Sequence, residues 1–122
     1  MKIQILPEMF TVCRLSDCTN VDLSVPYTFV ACTDEENSLV CPSERVPGNI
    51  LVREDGWRCL RIAGTLDFSL VGILARIAQN LAEAGIPIFA VSTYNTDYIL
   101  LKAEKLQDAV KALSAAGYGT EY

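Results

Sequence analysis

Histidine is absent from this chain of 122 residues. Its absence excludes Ser-His or Cys-His nucleophilic catalysis and histidine–metal chemistry built from this chain alone. Five cysteines are present, but none forms a Cys-x-x-Cys pair, so a zinc site would need four thiolates from scattered positions. We therefore expect no metal and no other cofactor. We expect buried, reduced thiols that pack as small apolar side chains, with Cys13, Cys32 and Cys59 in apolar, strand-like runs.

Basic residues are also scarce. Ten Lys and Arg residues stand against 15 Asp and Glu, which gives a net charge of −5. This balance argues against a nucleic-acid partner and against an anionic membrane surface. No apolar run approaches the roughly 18 residues that would span a bilayer, and the start MKIQILPEMF does not resemble a signal peptide. We therefore expect a cytoplasmic protein whose partners are small molecules or other proteins.

The chain has enough apolar residues for a real core, because its hydrophobic fraction is 51%. Its length corresponds to one domain or two very small ones. In the C-terminal half, Trp57–Ala63 is strand-like and Gly64–Ser69 reads as a loop. A helix is predicted over Leu70–Ala84, with Gly85 and Pro87 ending it. Its apolar face comprises Leu70, Ile73, Leu74, Ile77 and Leu81, at helical spacing.

Two more strands and a second helix follow. Strands are predicted over Ile86–Thr93 and Asp97–Lys102, joined by a turn at Tyr94–Thr96. A helix over Glu104–Ala116 ends at Gly117 and presents Leu106, Ala109, Val110 and Leu113 on one face. Residues 118–122 can add a short edge strand. The order βαββα, with this last strand, predicts an α+β sandwich of the ferredoxin-like kind.

The N-terminal half reads as a reduced copy of the same unit. A shift of 60 residues aligns Phe29, Thr33, Leu39, Val40 and Glu44 with Phe89, Thr93, Ile99, Leu100 and Glu104. A shift of 47 aligns Phe10, Arg14 and Leu15 with Trp57, Arg61 and Ile62. The difference of 13 residues is about one helix, so the first helix is expected to have shrunk to the stretch Ser16–Ser24. We divide the chain into a reduced unit at 1–54 and a full unit at 55–122, joined through an Asp55-Gly56 hairpin signal.

Three segments together resemble an ACT domain. They are LDFSLVGIL at the entry to the first helix, LAEAGI at its end, and the strand-turn-strand IFAVSTYNTDYILL. The resemblance covers residues 57–117 well, and is to the tandem type found in aspartate kinases and in the cytosolic arginine sensors of animals. The first half matches through its hairpin FVACTDEENSLVCP and the run FTVCRL.

The resemblance implies a regulatory module of βαββαβ topology. Such domains pair side by side into a continuous sheet and bind amino acids at the seam between units. The ligand is held by the loop entering the first helix and by the end of the second strand, here Asp67–Gly72 and Ser92–Asp97. The candidate ligand-binding residues are Asp67, Ser69, Leu70, Val71, Gly72, Phe89, Thr93, Tyr94, Asn95 and Asp97.

The chemistry of these segments suits an amino acid, although each has a simpler interpretation. A helix start offers unpaired N–H groups to a carboxylate, and Asp97 could hold an ammonium or a basic side chain. Gly72, placed inside the helix, would cost about 1 kcal/mol against alanine and would permit close approach. Asp67 and Ser69 could instead be only helix caps. Asp97 could be only a solvated hairpin residue.

Three functional hypotheses remain. The leading one is a non-enzymatic, homodimeric module that binds an amino acid or related metabolite and acts on a separate protein. The second is a pure assembly module without a ligand, which the reduced first half favours because a seam site needs two competent units. The third is an enzyme that uses carboxylate, lysine or thiolate chemistry, for which reactive thiols at Cys13 or Cys59 would be the signature.

Overall fold

The structure is a computed structural model that describes residues 1–63 and 71–122. The chain divides into two compact units. The helical unit contains Met1–Pro7 and Arg58–Tyr122, and the strand unit contains Glu8–Trp57. The internal repeat predicts a different boundary, after residue 54. That boundary stays a prediction.

The observed element order adds one strand, at the start of the chain, to the order expected from the sequence. None of the helices in the described part of the chain is long and apolar enough to cross a membrane. The strands are β1 Lys2–Ile5, β2 Phe10–Leu15, β3 Phe29–Cys32, β4 Asn37–Pro42, β5 Ile50–Ile62, β6 Phe89–Ser92, β7 Asp97–Lys102 and β8 Gly119–Glu121, and the helices are α1 Ile73–Glu83 and α2 Leu106–Ala115.

In the helical unit the strands lie in the order β6-β7-β5-β1-β8, where β5 contributes its last residues. From β5 onward the connectivity is βαββαβ, which confirms the predicted ferredoxin-like, ACT-type fold. The strand β1 was missed. It runs antiparallel to β5 with Ile3 opposite Ile62, and parallel to β8 with Ile3 opposite Thr120.

One core fills the space between this sheet and the two helices. The alternation in β5 points Leu60 and Ile62 toward the helices, and the helical spacing of α1 and α2 supplies the facing side chains. Leu74 and Val110 pack at the edge of this cluster. The buried members are Ile3, Ile5, Leu60, Ile62, Ile73, Ile77, Leu81, Ile86, Ile99, Leu101, Leu106, Ala109 and Leu113.

Both helices end in the same hydrogen-bonded motif, at the glycines predicted to end them. After α1, Gly85 N–H donates to Ala82 O at 2.9 Å and Ile86 N–H donates to Leu81 O at 3.0 Å. After α2, the equivalent bonds are Gly117 N–H to Ser114 O at 3.1 Å and Tyr118 N–H to Leu113 O at 3.0 Å. This is the Schellman arrangement, which satisfies carbonyls that the helix end would leave unpaired.

The strand unit keeps the sheet and lacks the helices. Its strands lie in the order β3-β4-β2-β5, and residues 8–57, all of which are described, contain no α-helix. The predicted remnant helix at Ser16–Ser24 is a series of turns, in which Asp17 Oδ1 accepts from Thr19 N–H at 2.9 Å. The buried cluster is correspondingly small and comprises Cys13, Leu15, Leu39 and Cys41, with Val21, Val46 and Ile50 packed against it.

The internal repeat is visible residue by residue. The ranges of β3 and β4 coincide with those of β6 and β7 after a shift of 60 residues, as do two 3-10 turns at Ser43–Arg45 and Ala103–Lys105. The two hairpin turns also share a backbone bond. Thr33 N–H donates to Glu36 O, and Thr93 N–H donates to Thr96 O, each at 2.9 Å.

The hairpin predicted at Asp55-Gly56 is wrong, because β5 runs straight through it. Phe10 pairs with Trp57 and Val12 with Glu54, so both Asp55 and Gly56 lie opposite the single residue Thr11. This is a β-bulge, and Gly56 within it has a positive φ of 85°, which glycine adopts without a steric penalty. Asp55 is held within the sheet, because its Oδ1 accepts from Thr11 Oγ1 at 2.6 Å.

The position of the core predicts that alanine substitutions at two strand leucines have unequal effects on stability. Leu101 is fully buried against both helices, whereas Leu51 is 60% exposed. Leu101→Ala should lower the free energy of unfolding by about 2–5 kcal/mol, through lost transfer energy and a cavity. Leu51→Ala should change it by less than about 0.5 kcal/mol. Urea unfolding followed by circular dichroism measures both, and equal losses would contradict the assigned core.

Candidate functional site

The turn between β6 and β7 is the central part of the candidate site. Thr93 closes it twice, because its N–H donates to Thr96 O at 2.9 Å and its Oγ1 donates to the same oxygen at 3.0 Å. Tyr94 and Asn95 form the tip, where Tyr94 is 80% exposed. The turn predicted at Tyr94–Thr96 is therefore present, with Tyr94 and Asn95 exposed to solvent.

Asp97 lies where β7 begins, directly opposite Ser92 at the end of β6. Ser92 Oγ donates to Asp97 Oδ1 at 2.5 Å, which orients the carboxylate. An ionised carboxylate has about four lone-pair positions, so this bond leaves capacity for a further donor such as an ammonium group. Asp97 is half-buried, an environment in which a charge-assisted bond is stronger than in open water.

Thr96 connects this turn to the strand that leads toward α1. Its side chain is 6% exposed, and its Oγ1 donates to Ile62 O at 2.8 Å. Ile62 is the last residue of β5, so the turn and the end of β5 lie together at one end of the sheet. The sequence did not single out Thr96. The signal was available, since Thr96 is a polar residue adjoining an apolar strand and so needs a hydrogen-bond partner if buried.

Gly72 is the N-cap of α1, not a residue within the helix as expected. Its φ of 80° is left-handed, and its carbonyl accepts the first helical bond from Arg76 N–H at 2.9 Å. A residue with positive φ cannot be part of a right-handed helix, which is why α1 begins only at Ile73. Glycine is required at this position by the backbone itself.

Arg76 is a charged residue at the helix start that the sequence reasoning missed. Its Nη1 donates to Val71 O at 3.4 Å and lies 3.1 Å from the position that a Cβ on Gly72 would occupy. A cation in the first turn opposes the usual charge preference, because the helix N-terminus is already partly positive. That departure was readable from the sequence. It makes this end of α1 a more strongly positive environment for an anion.

The structure groups some of the predicted residues and separates others. Thr93, Tyr94, Asn95 and Asp97 lie together at the turn, and Val71 adjoins Gly72 at the helix start. Phe89 opens β6 opposite Leu100, four residues or roughly 13 Å from Thr93, where the turn begins. Asp67, Ser69 and Leu70 lie outside the described residues. The binding role of all ten residues stays a prediction.

The cysteines are free thiols with different environments. Cys13, Cys41 and Cys59 are buried, Cys18 is partly exposed, and Cys32 is exposed. The expectation of burial for Cys32 is therefore wrong, because β3 pairs only with β4 among the described strands and leaves that side chain uncovered. Burial raises the pKa of the Cys13 thiol and raises that of Cys41 to about 11. Within residues 1–63 and 71–122, no three potential metal-ligating side chains cluster together.

Comparison with known proteins places this geometry in a family context. The family model for the ACT domain matches residues 52–115. The cytosolic arginine sensor for mTORC1 subunit 1 from Homo sapiens is 32% identical over 74 residues, which are 57% of this chain and 22% of the sensor. The same sensor from Rattus norvegicus is 28% identical over 97 residues, or 74% of this chain and 29% of the sensor. The chain thus spans less than a third of the length of these curated relatives.

Two solved structures have similar folds. The X-ray structure of protein Atu0741 from Agrobacterium tumefaciens has a TM-score of 0.86 at 29% identity, covering 98% of this chain and 91% of that chain. The regulatory subunit of aspartate kinase from Thermus thermophilus, in its ligand-free form, has a TM-score of 0.63 at 13% identity, covering 96% and 97% of the two chains. At that identity the second likeness concerns the fold alone.

The environment of Gly72 predicts a strained alanine variant. Gly72→Ala should lower the free energy of unfolding by about 1–2 kcal/mol, because alanine disfavours positive φ and its Cβ meets the Arg76 guanidinium. In an Arg76→Ala background the contact is gone and only the backbone part should remain. Thermal unfolding of both variants measures this, and a neutral Gly72→Ala would contradict the left-handed N-cap.

The thiol environments predict an order of chemical labelling. At pH 7.5, Cys32 should react fastest with a maleimide, because it is exposed. Cys13, Cys41 and Cys59 should stay unmodified until the chain unfolds, since burial blocks access and the raised pKa of Cys13 and Cys41 further lowers their thiolate fraction. Peptide mass spectrometry of timed samples measures the order. Rapid folded-state labelling of Cys13 or Cys59 would instead favour thiol chemistry.

Proposed function

The chain belongs to the ACT domain family, and from this premise we propose that it is a non-enzymatic regulatory module that binds an amino acid or a related small metabolite. The observation that carries the proposal is the carboxylate of Asp97, which Ser92 orients at the β6–β7 turn. It supplies an acceptor for the α-ammonium group. Thr93 and Asn95 add polar groups beside it.

The start of α1 is the proposed receptor for the α-carboxylate. Unpaired N–H groups of its first turn suit an anion, and the nearby Arg76 guanidinium strengthens the attraction. An amino acid needs both an acidic and a basic recognition element, and these two segments provide one of each. The bond from Thr96 to Ile62 supports their proximity, because it brings the turn to the strand end from which the chain continues toward α1.

Dimerisation through the sheet is a further part of the proposal. Among the described strands, β6 pairs only with β7 and β8 pairs only with β1, so these two strands form the edges of the described sheet. Exposed edges favour the addition of strands from another chain. We propose a homodimer in which such a seam completes the ligand site, and a separate regulated protein that responds to the ligand through a shift between conformers. The relative named as a cytosolic arginine sensor supports both a regulatory role and a cytoplasmic location.

A pure assembly module is the second candidate. The strand unit has no helix in residues 8–57, so it cannot offer a helix N-terminus to a ligand. A seam formed between one complete and one reduced unit would therefore have fewer recognition groups than a seam formed between two complete units. This reading predicts stable self-association without a response to amino acids.

Ligand-dependent thermal unfolding tests the leading proposal. The purified protein is heated with each of the twenty amino acids. A ligand at about a hundred times its dissociation constant stabilises the folded state by roughly 2.7 kcal/mol, which should raise the midpoint by several degrees. Asp97→Asn should abolish that rise, because the neutral amide lacks the charge that holds the ammonium. The matched control is Asp108→Asn on the exposed part of α2.

The outcomes separate the two candidates. A rise with one amino acid that Asp97→Asn removes and Asp108→Asn keeps supports the sensor. Unchanged midpoints across the panel, together with a stable dimer in sedimentation, favour the assembly module. A rise that survives Asp97→Asn would mean that the ligand binds elsewhere on the chain.

A further inference from the structure

The strand unit carries a cleft of its own on its sheet. The cleft has a volume of about 400 Å³, within the range of small-molecule sites. Val12 and Arg14 from β2, Ser38 from β4, and Val52 and Glu54 from β5 line it, together with Glu36 from the turn before β4. Cys13 and Arg53 also border it, although strand register places their side chains on the opposite face. All eight residues belong to the strand unit, and none of them belongs to the β6–β7 turn or to the start of α1.

Strand register explains why these side chains converge. Arg14 lies opposite Ser38 on one side and Val52 on the other, and Val12 lies opposite Glu54. Residues directly opposite in antiparallel strands project from the same face, and residues two apart along a strand do so as well. The five strand residues therefore share one face of the sheet. They surround Arg14 with two valines, a hydroxyl and a carboxylate.

The opposite face of the same strands is already filled. Cys13, Leu15, Leu39 and Cys41 point there and form the buried cluster of the unit. Arg53 also belongs to that face by register, and its Nη2 donates to Asp55 Oδ1 at 2.8 Å. The face that lines the cleft is open to solvent, because Val52 is 55% exposed and Arg14 is exposed.

Glu36 and its counterpart in the helical unit make different contacts. Under the 60-residue repeat it corresponds to Thr96, which donates to the end of β5 and is buried. An ionised carboxylate cannot donate such a bond. The turn of the strand unit is tied instead by Asn37, whose Nδ2 donates to Ser16 O at 3.3 Å. The bond that holds the turn therefore comes from the next residue along the chain, Asn37. The exposed Glu36 side chain is left to line the cleft.

We propose that this cleft is a second ligand site, for a small zwitterion that carries an additional cationic group. Arg14 receives its carboxylate, Glu36 and Glu54 receive its two cationic groups, and the valines contact the aliphatic part. The side chains on this face set this class, since one guanidinium and two carboxylates complement one negative and two positive groups. The Arg53 guanidinium is not counted, because register places it on the opposite face, where it is bonded to Asp55. A molecule with two carboxylates and one ammonium group does not match the charges of the cleft. This second site does not depend on the site at Asp97.

L-arginine, which carries one carboxylate and two cationic groups, is the probe. The full-length protein, labelled with ¹⁵N, is titrated with L-arginine, L-glutamate and agmatine, which is arginine without its carboxylate. Amide resonances of Val12, Arg14 and Val52 should shift and saturate with L-arginine and should not respond to L-glutamate. Agmatine should bind at least tenfold more weakly, because Arg14 then has no partner.

Two carboxamide variants and one matched control complete the test. Glu36→Gln and Glu54→Gln should each weaken L-arginine binding at the cleft at least tenfold, whereas Glu35→Gln, an exposed neighbour outside the cleft, should not. Asp97→Asn should leave the cleft shifts unchanged, which keeps failure of this site distinct from failure of the proposed function. Cleft amides that do not move with L-arginine, or that move equally in Glu36→Gln and Glu35→Gln, would overturn the proposal. So would a dimer interface that covers these residues in solution.

Discussion

The hydrogen bond from Thr96 Oγ1 to Ile62 O is the interaction on which the candidate site depends. It joins the turn between two strands to the end of a third, across 34 residues of sequence. It gives the buried Thr96 hydroxyl a partner, and a buried hydroxyl without one would lower the stability of the fold. Because it fixes the turn, it also fixes where β7 begins, and hence where Asp97 and Ser92 meet. The polar chemistry of the turn follows from one buried threonine.

Comparison of the two units shows how a single substitution in a repeated hairpin changes its use. Both turns keep the threonine that closes them, at Thr33 and Thr93. The next positions diverge, because the helical unit has Thr96 as a tether and the strand unit has Glu36 as an exposed acid. The strand unit also replaces two helices with turns and a small cluster around Cys13 and Cys41. Each unit thus presents a different polar surface on the same strand framework.

Local periodicity explains why much of the fold could be predicted. The apolar spacing of α1 and α2, their terminal glycines and the repeat of 60 residues are all readable in short windows. The strand β1 was not, because its four residues become a strand only by pairing with β5 and β8 far along the chain. The hairpin predicted at Asp55-Gly56 was wrong for a similar reason, because pairing with a distant strand decides the local structure. The dipeptide favours positive φ at the glycine, but tertiary pairing decides whether that makes a turn or a bulge.

The site was predicted less well than the fold, since hydrogen bonds between distant residues define it. The residue types of Thr96 and Arg76 were visible in the sequence, but their partners, Ile62 O and Val71 O, are visible only in the structure. Gly72 was recognised as special but placed inside the helix, because sequence alone does not reveal its sign of φ. The resemblance to a family supplied the segments, and the structure supplied the bonds within them.

Hydrogen–deuterium exchange with and without an amino-acid ligand tests the central claim most directly. The account predicts that the ligand slows exchange at the first turn of α1, at residues 73–76, and at the β6–β7 turn, at residues 93–97. These amides either bind the carboxylate or lie in the turn that the ligand orders. Protection confined to other segments, or a bound ligand that leaves both regions unchanged, would contradict the account.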